Sequence, residues 1–119
     1  MNEIRGKRII ISGLISSKLN LDEHLTPIRK EIETFNGLIV GELIQRRGIS
    51  RSKRPGGSHK LNLPLSSRTY ISSGKIEELK ELSNTVNADL IIFINNLTIN
   101  QIENIEDLID LKVIKFKTS

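Results

Sequence analysis

The sequence predicts an α/β fold: a single domain over residues 1–119, with a four-stranded, mainly parallel sheet in the order 2-1-3-4, about three flanking helices and one long basic loop. Three observations carry that expectation. Short β-branched runs alternate with segments of helical periodicity, the pattern that builds a parallel sheet with right-handed crossovers. The apolar runs are too short to span a bilayer, which takes about 20 residues. A stretch without periodicity, holding Pro55-Gly56-Gly57, Pro64 and several serines, interrupts the alternation once, after the second strand.

Each element has its own signal. Lys7–Leu14 is a β-branched run closed by Ser12-Gly13 and reads as a buried strand followed by a turn. Leu21, Leu25, Ile28, Ile32 and Phe35 recur at spacings of 4, 3, 4 and 3, one face of a helix. Pro27 fits the first helical position with Thr26 as cap, so Leu21–Leu25 reads as a separate turn or a kinked first turn. Asn36-Gly37 stops the helix, with glycine in the left-handed conformation. Leu38–Gln45 is the second strand, Gly48–Arg68 a long exposed loop, and Thr69–Ile71 a candidate short strand. From Gly74, Ile76, Leu79, Leu82 and Val86 mark a second helix with Glu77 and Glu78 in its first turn, and Asn87 stands at a left-handed cap. Asp89–Ile94 is a fully apolar strand. Thr98-x-x-Gln101 is a capping box opening a helix on Ile102, Ile105 and Ile109. Lys112–Lys117 closes the sheet as an edge strand, with Lys115 between Ile114 and Phe116.

Composition bounds the chemistry. With 119 residues and no cysteine there is one domain, no disulfide and no thiolate site, which suits a reducing cytoplasm. Aromatic residues make up 3 % and tryptophan is absent, so the core is built from Ile, Leu and Val. The net charge of +4 is unevenly spread. Between Leu43 and Ile76 there is no acidic residue, while eight basic ones occur: Arg46, Arg47, Arg51, Lys53, Arg54, Lys60, Arg68 and Lys75. The remainder of the chain has a net charge of −4. A local single-sign cluster of this kind points to a polyanionic partner.

Several strings, taken together, carry a resemblance: Gly41-Glu42-Leu43-Ile44-Gln45-Arg46-Arg47, then Thr69-Tyr70-Ile71-Ser72-Ser73-Gly74-Lys75-Ile76-Glu77-Glu78-Leu79, then Ala88-Asp89-Leu90-Ile91-Ile92-Phe93. With Arg8–Leu14 and Lys112-Val113-Ile114 they resemble the N-terminal domain of the HflX family of ribosome-associated GTPases over nearly the whole chain. The resemblance implies an α/β fold, a cytoplasmic location and docking on the large ribosomal subunit. It also implies that a helical hairpin and a GTPase domain would follow the last strand. The sequence holds no Gly-x-x-x-x-Gly-Lys-[Ser/Thr]; at Gly74-Lys75 the positions of the first glycine and the hydroxyl are taken by Thr69 and Ile76, so GTP hydrolysis does not carry over. The expectation is a non-catalytic domain, either free-standing or the N-terminal fragment of a longer GTPase.

For function, the basic segment leads. Arg46, Arg47, Arg51, Lys53, Arg54, Lys60 and Arg68 are candidate phosphate contacts to rRNA or the large ribosomal subunit, because guanidinium groups bind phosphate bidentately. Tyr70 is the sole aromatic nearby, which favours backbone and shape contact over base stacking. A second reading is a purine-nucleotide site at the carboxyl ends of the strands, with Ser12, Gly13, Ser16, Ser17 and Lys18 in the crevice and Gly74 and Lys75 at a helix start. The resemblance supports it, since the family's isolated domain looks able to bind purine nucleotides. No catalytic residue, metal site or resident cofactor is expected: His24 and His59 are isolated, and Glu77-Glu78 and Glu106-Asp107 are adjacent pairs diverging on helix faces. A protein–protein module working through an edge strand is the third class.

Overall fold

A computed structural model describes residues 4–16, 19–47 and 69–116, and the side chain of Arg47 also lies outside the described set. The element order is β1 (Arg8–Ser16), α1 (Leu21–Thr34), β2 (Leu38–Arg47), α2 (Ser73–Val86), β3 (Leu90–Phe93), α3 (Ile99–Ile109) and β4 (Lys112–Lys115). The four strands form one parallel sheet in the order β2-β1-β3-β4, as the alternation predicts. β1 pairs with β2 over its whole length and with β3 only through Ile9–Ser12.

The central strand is apolar on both faces because helices cover both. Ile9 and Ile11 join Leu25, Ile28 and Ile32 of α1 in one core. On the other face, Ile10 and Leu14 join Ile76 and Leu79 of α2 and Ile105 and Ile109 of α3. Burying each such side chain contributes about 1.5–3 kcal/mol.

Five local expectations are corrected. First, α1 runs unbroken through Pro27 from Leu21, because Asn20 rather than Thr26 is the N-cap; its side chain accepts the Glu23 N–H at 3.0 Å. Burial of Leu25 on the same face as Ile28 and Ile32 outweighs an interior proline, which costs about 3 kcal/mol. Second, the left-handed residue ending α1 is Asn36 (φ 64°), not Gly37. The Gly37 N–H then closes back on the Ile32 carbonyl at 2.9 Å and the Asn36 N–H on Glu33 at 2.9 Å, a Schellman ending with asparagine in glycine's usual place. Gly37 is needed for room: a Cβ there would stand 2.6 Å from Ile4, 2.7 Å from Ile9 and 2.8 Å from Ile32.

Third, Thr69–Ile71 forms no strand. Tyr70 takes a left-handed φ of 70°, which breaks the extended chain, and the Thr69 hydroxyl donates to the Ile71 carbonyl at 2.8 Å. Fourth, α2 opens at Ser73 under a Ser72 cap, so its first turn holds Gly74 and Lys75 and contains no acidic residue; Glu77 and Glu78 follow it. Fifth, Arg46 and Arg47 belong to β2, which runs two residues further than expected, while the expected loop Gly48–Arg68 lies outside the described residues.

The turn expected at Ser12-Gly13 is also absent, because β1 stays paired with β2 as far as Ser16; two cap signals appear as read. Asn87 (φ 55°) caps α2, and the Thr98–Gln101 capping box is formed in both directions. The end of α2 gains a further cap in Arg8, whose Nη2 donates to the Val86 carbonyl at 2.8 Å. α1 is tied to β2 by Arg29, which donates to Glu42 at 2.6 and 2.8 Å and to Asp22 at 3.2 Å. Its hydrogen bonds to Glu42, and then the one to Asp22, hold the Arg29 guanidinium above its ordinary range.

Gly37→Ala is expected to cost about 1–3 kcal/mol in an unfolding titration, because three packed isoleucines must move. Gly74→Ala is expected to be neutral or stabilising by about 0.5–1 kcal/mol in the same assay, since a Cβ there meets nothing within 4 Å and alanine favours the helix.

Candidate nucleic-acid interface

Parallel pairing sends the carboxyl ends of all strands to one edge of the sheet, and the crossovers bring the N-termini of α1, α2 and α3 to the same edge. Helix N-termini carry partial positive charge. Arg46 near the end of β2, Lys75 in the first turn of α2 and Lys115 at the end of β4 add full charges there. The first turn of α1 adds Asp22 and Glu23 at that edge, and the opposite edge holds Asp89 and Asp110 together with Arg8 and Lys112, so both ends of the strands carry charges of both signs.

The acid-free basic segment is rooted at the carboxyl edge of the sheet. One root is the end of β2, the other the start of α2, and they are stitched together: the Ser72 N–H donates to Gln45 Oε1 at 2.9 Å. Thr69 and Ile71 are buried beneath the second root, with Ile71 in the α2–α3 core. Both ends of the 34-residue acid-free window are therefore fixed to the sheet.

Of the expected phosphate contacts, Arg46 is described and exposed, and Arg47 is placed by its backbone alone. Arg51, Lys53, Arg54, Lys60 and Arg68 lie outside the described residues, as do Ser17, Lys18 and His59. Lys75 pairs with Glu78 at 3.2 Å, and Lys115 donates to Asn96 Oδ1 at 2.9 Å.

Of the residues expected to line a nucleotide crevice, Ser12, Gly13, Ser16, Gly74 and Lys75 are among those described. Ser12 is fully buried and donates its hydroxyl to the Leu43 carbonyl at 2.8 Å, across to β2. Gly13 (φ 142°) lies against Asn95, and Gly74 and Lys75 stand at the head of α2. Asn95 itself is a residue that sequence reading missed. β1 outruns β3 by four residues, and the Asn95 amide fills the gap: its Oδ1 accepts the Leu14 N–H at 2.8 Å and its Nδ2 donates to the Leu14 carbonyl at 3.1 Å. A Cβ on Gly13 would stand 2.5 Å from that Oδ1, so the glycine admits the asparagine. The asparagine pair directly after the apolar strand was the available signal. Among the described residues, no three His, Cys, Asp or Glu side chains are grouped to hold a metal, and no helix is long and apolar enough to cross a membrane.

Taken together, the strand order and the two-sided helical cover define a small doubly wound, parallel α/β domain. The family of GTP-binding GTPase N-terminal domains matches residues 58–117, just over half of the chain. The GTPase HflX of Caldanaerobacter subterraneus subsp. tengcongensis is 30 % identical over 109 residues, which cover 91 % of this chain. The chain belongs to this family, as a protein like the N-terminal domain of HflX. The aligned region makes up 22 % of that relative's length.

Asn95→Ala should lower stability by about 1–3 kcal/mol, because it strands two backbone groups of Leu14. Gly13→Ala should cost at least as much. Since the methyl and the amide compete for one place, thermal melts of the double variant should show a loss smaller than the sum of the two.

Proposed function

We propose that this chain is a ribosome- or RNA-associated, non-catalytic binding module of the cytoplasm that contacts rRNA phosphates through the segment between β2 and α2. The observation that carries the reading is the charge pattern: eight basic and no acidic residues from Leu43 to Ile76, in a chain whose remainder is net negative. The geometry supports it. The segment is rooted at the edge where three helix N-termini point, so a phosphate chain lying there meets favourable dipoles as well as side-chain charges. Family membership supports it too, because the resemblance to HflX implies docking on the large ribosomal subunit. On this reading the domain covers the ribosomal surface that a full-length relative would occupy. Its arginines act as phosphate clamps.

Binding to purified large subunits, or to rRNA fragments, should weaken with salt. If about four side chains meet phosphates, the slope of log affinity against log salt is about −3. A slope near zero would contradict the reading. Replacing Arg47, Arg51, Lys53 and Arg54 together with alanine should abolish co-sedimentation with the subunit, while the variant keeps a cooperative thermal melt. Retained co-sedimentation of a folded variant would assign the contact to another surface.

A further inference from the structure

β2 is a long edge strand whose charged residues, Glu42, Arg46 and Arg47, are of both signs. It is ten residues long and contains no proline and no lysine, whereas the other edge, β4, has four residues and two lysines. Among the described residues no strand pairs with its outer side. The register slips once, with Val40 as the extra residue, and from Gly41 to Arg47 the strand runs regularly. A long regular edge is a template for another strand.

The charges on β2 select which strand. Glu42 faces α1, where Arg29 holds it, and Ile44 packs into the α1-side core. Alternation places Arg46 on that face as well. Leu43 and Gln45 lie on the other side, toward α2. If a second copy of β2 is laid antiparallel with Ile44 opposite Ile44, Glu42 stands opposite the partner's Arg46, and the two-fold axis repeats the pair. Opposite charges directly across an antiparallel pair stabilise it.

We propose that two copies of this chain pair through the outer edges of β2, antiparallel and centred on Ile44, making one continuous eight-stranded sheet. The dimer does not rest on the RNA reading, and it is tested without RNA. The sequence has no cysteine, so a single substitution introduces a unique thiol. Residues directly opposite in an antiparallel pair have Cβ atoms about 5 Å apart, close to what a disulfide needs. Under mild oxidation Ile44→Cys should form a covalent dimer. Leu38→Cys, whose two copies would lie roughly 40 Å apart, should not. Light scattering of the unmodified chain should give a dimer mass. Arg46→Glu, with an unchanged circular dichroism spectrum, should weaken dimerisation about tenfold or more, because it sets Glu opposite Glu twice. A monomeric mass for the unmodified chain overturns the proposal. So does equal cross-linking at the two positions, or a dimer indifferent to Arg46→Glu.

Discussion

All four strands run the same way, and this constraint, imposed by pairing on both sides of Arg8–Ser16, organises the rest of the molecule. Parallel neighbours cannot be joined by tight turns, so each connection that returns to the sheet needs a crossover, here a helix. Helices on both faces require the central strand to be apolar on both sides, which Ile9, Ile10 and Ile11 satisfy with no exposed surface. The same arrangement gathers the N-termini of the helices at one end of the strands. Helix N-termini and strand ends meet at one edge, and the basic segment is rooted between two of them.

The unequal lengths of β1 and β3 create a problem at that edge, and its solution defines the local shape. Four residues of β1 extend past β3 and would leave backbone groups unpaired on one side. The Asn95 amide takes the place of a strand there, and it fits because Gly13 has no side chain. Gln45 performs a related task across the edge by holding Ser72. Two side-chain amides thus fix the frame from which the basic segment departs. Ser12 adds a side-chain bond across the sheet, donating its hydroxyl to the Leu43 carbonyl.

Much of this was legible in the sequence because the signals were local. The periodicity of Leu25, Ile28 and Ile32, the Thr98–Gln101 box and the Asn87 cap each depend on a few adjacent residues, and the strand order follows from alternation. What escaped depends on contacts distant in sequence. Pro27 inside α1 is tolerated because burial on β1 and β2 decides the matter, and no local rule contains that term. Gly37 looked like a left-handed residue, but its place is set by Ile4, Ile9 and Ile32 closing around it. Tyr70 in a left-handed conformation contradicts the extended reading of Thr69–Ile71, since an aromatic side chain gives no warning of positive φ. The Asn95–Leu14 clasp spans 81 residues and could not be read from either end. The charge pattern, in contrast, was visible at once, and the structure contributed where its two roots are fastened.

The most direct test of the central claim is to ask which edge of the sheet faces RNA. A hydroxyl-radical source tethered through Ser73→Cys, exposed at the carboxyl edge, should cleave rRNA in the bound large subunit at a compact set of nucleotides. The same source tethered through Asn84→Cys, exposed near the opposite end of α2, should leave those nucleotides intact. Cleavage from Asn84→Cys with none from Ser73→Cys would place the phosphate contact at the wrong end of the domain and contradict it.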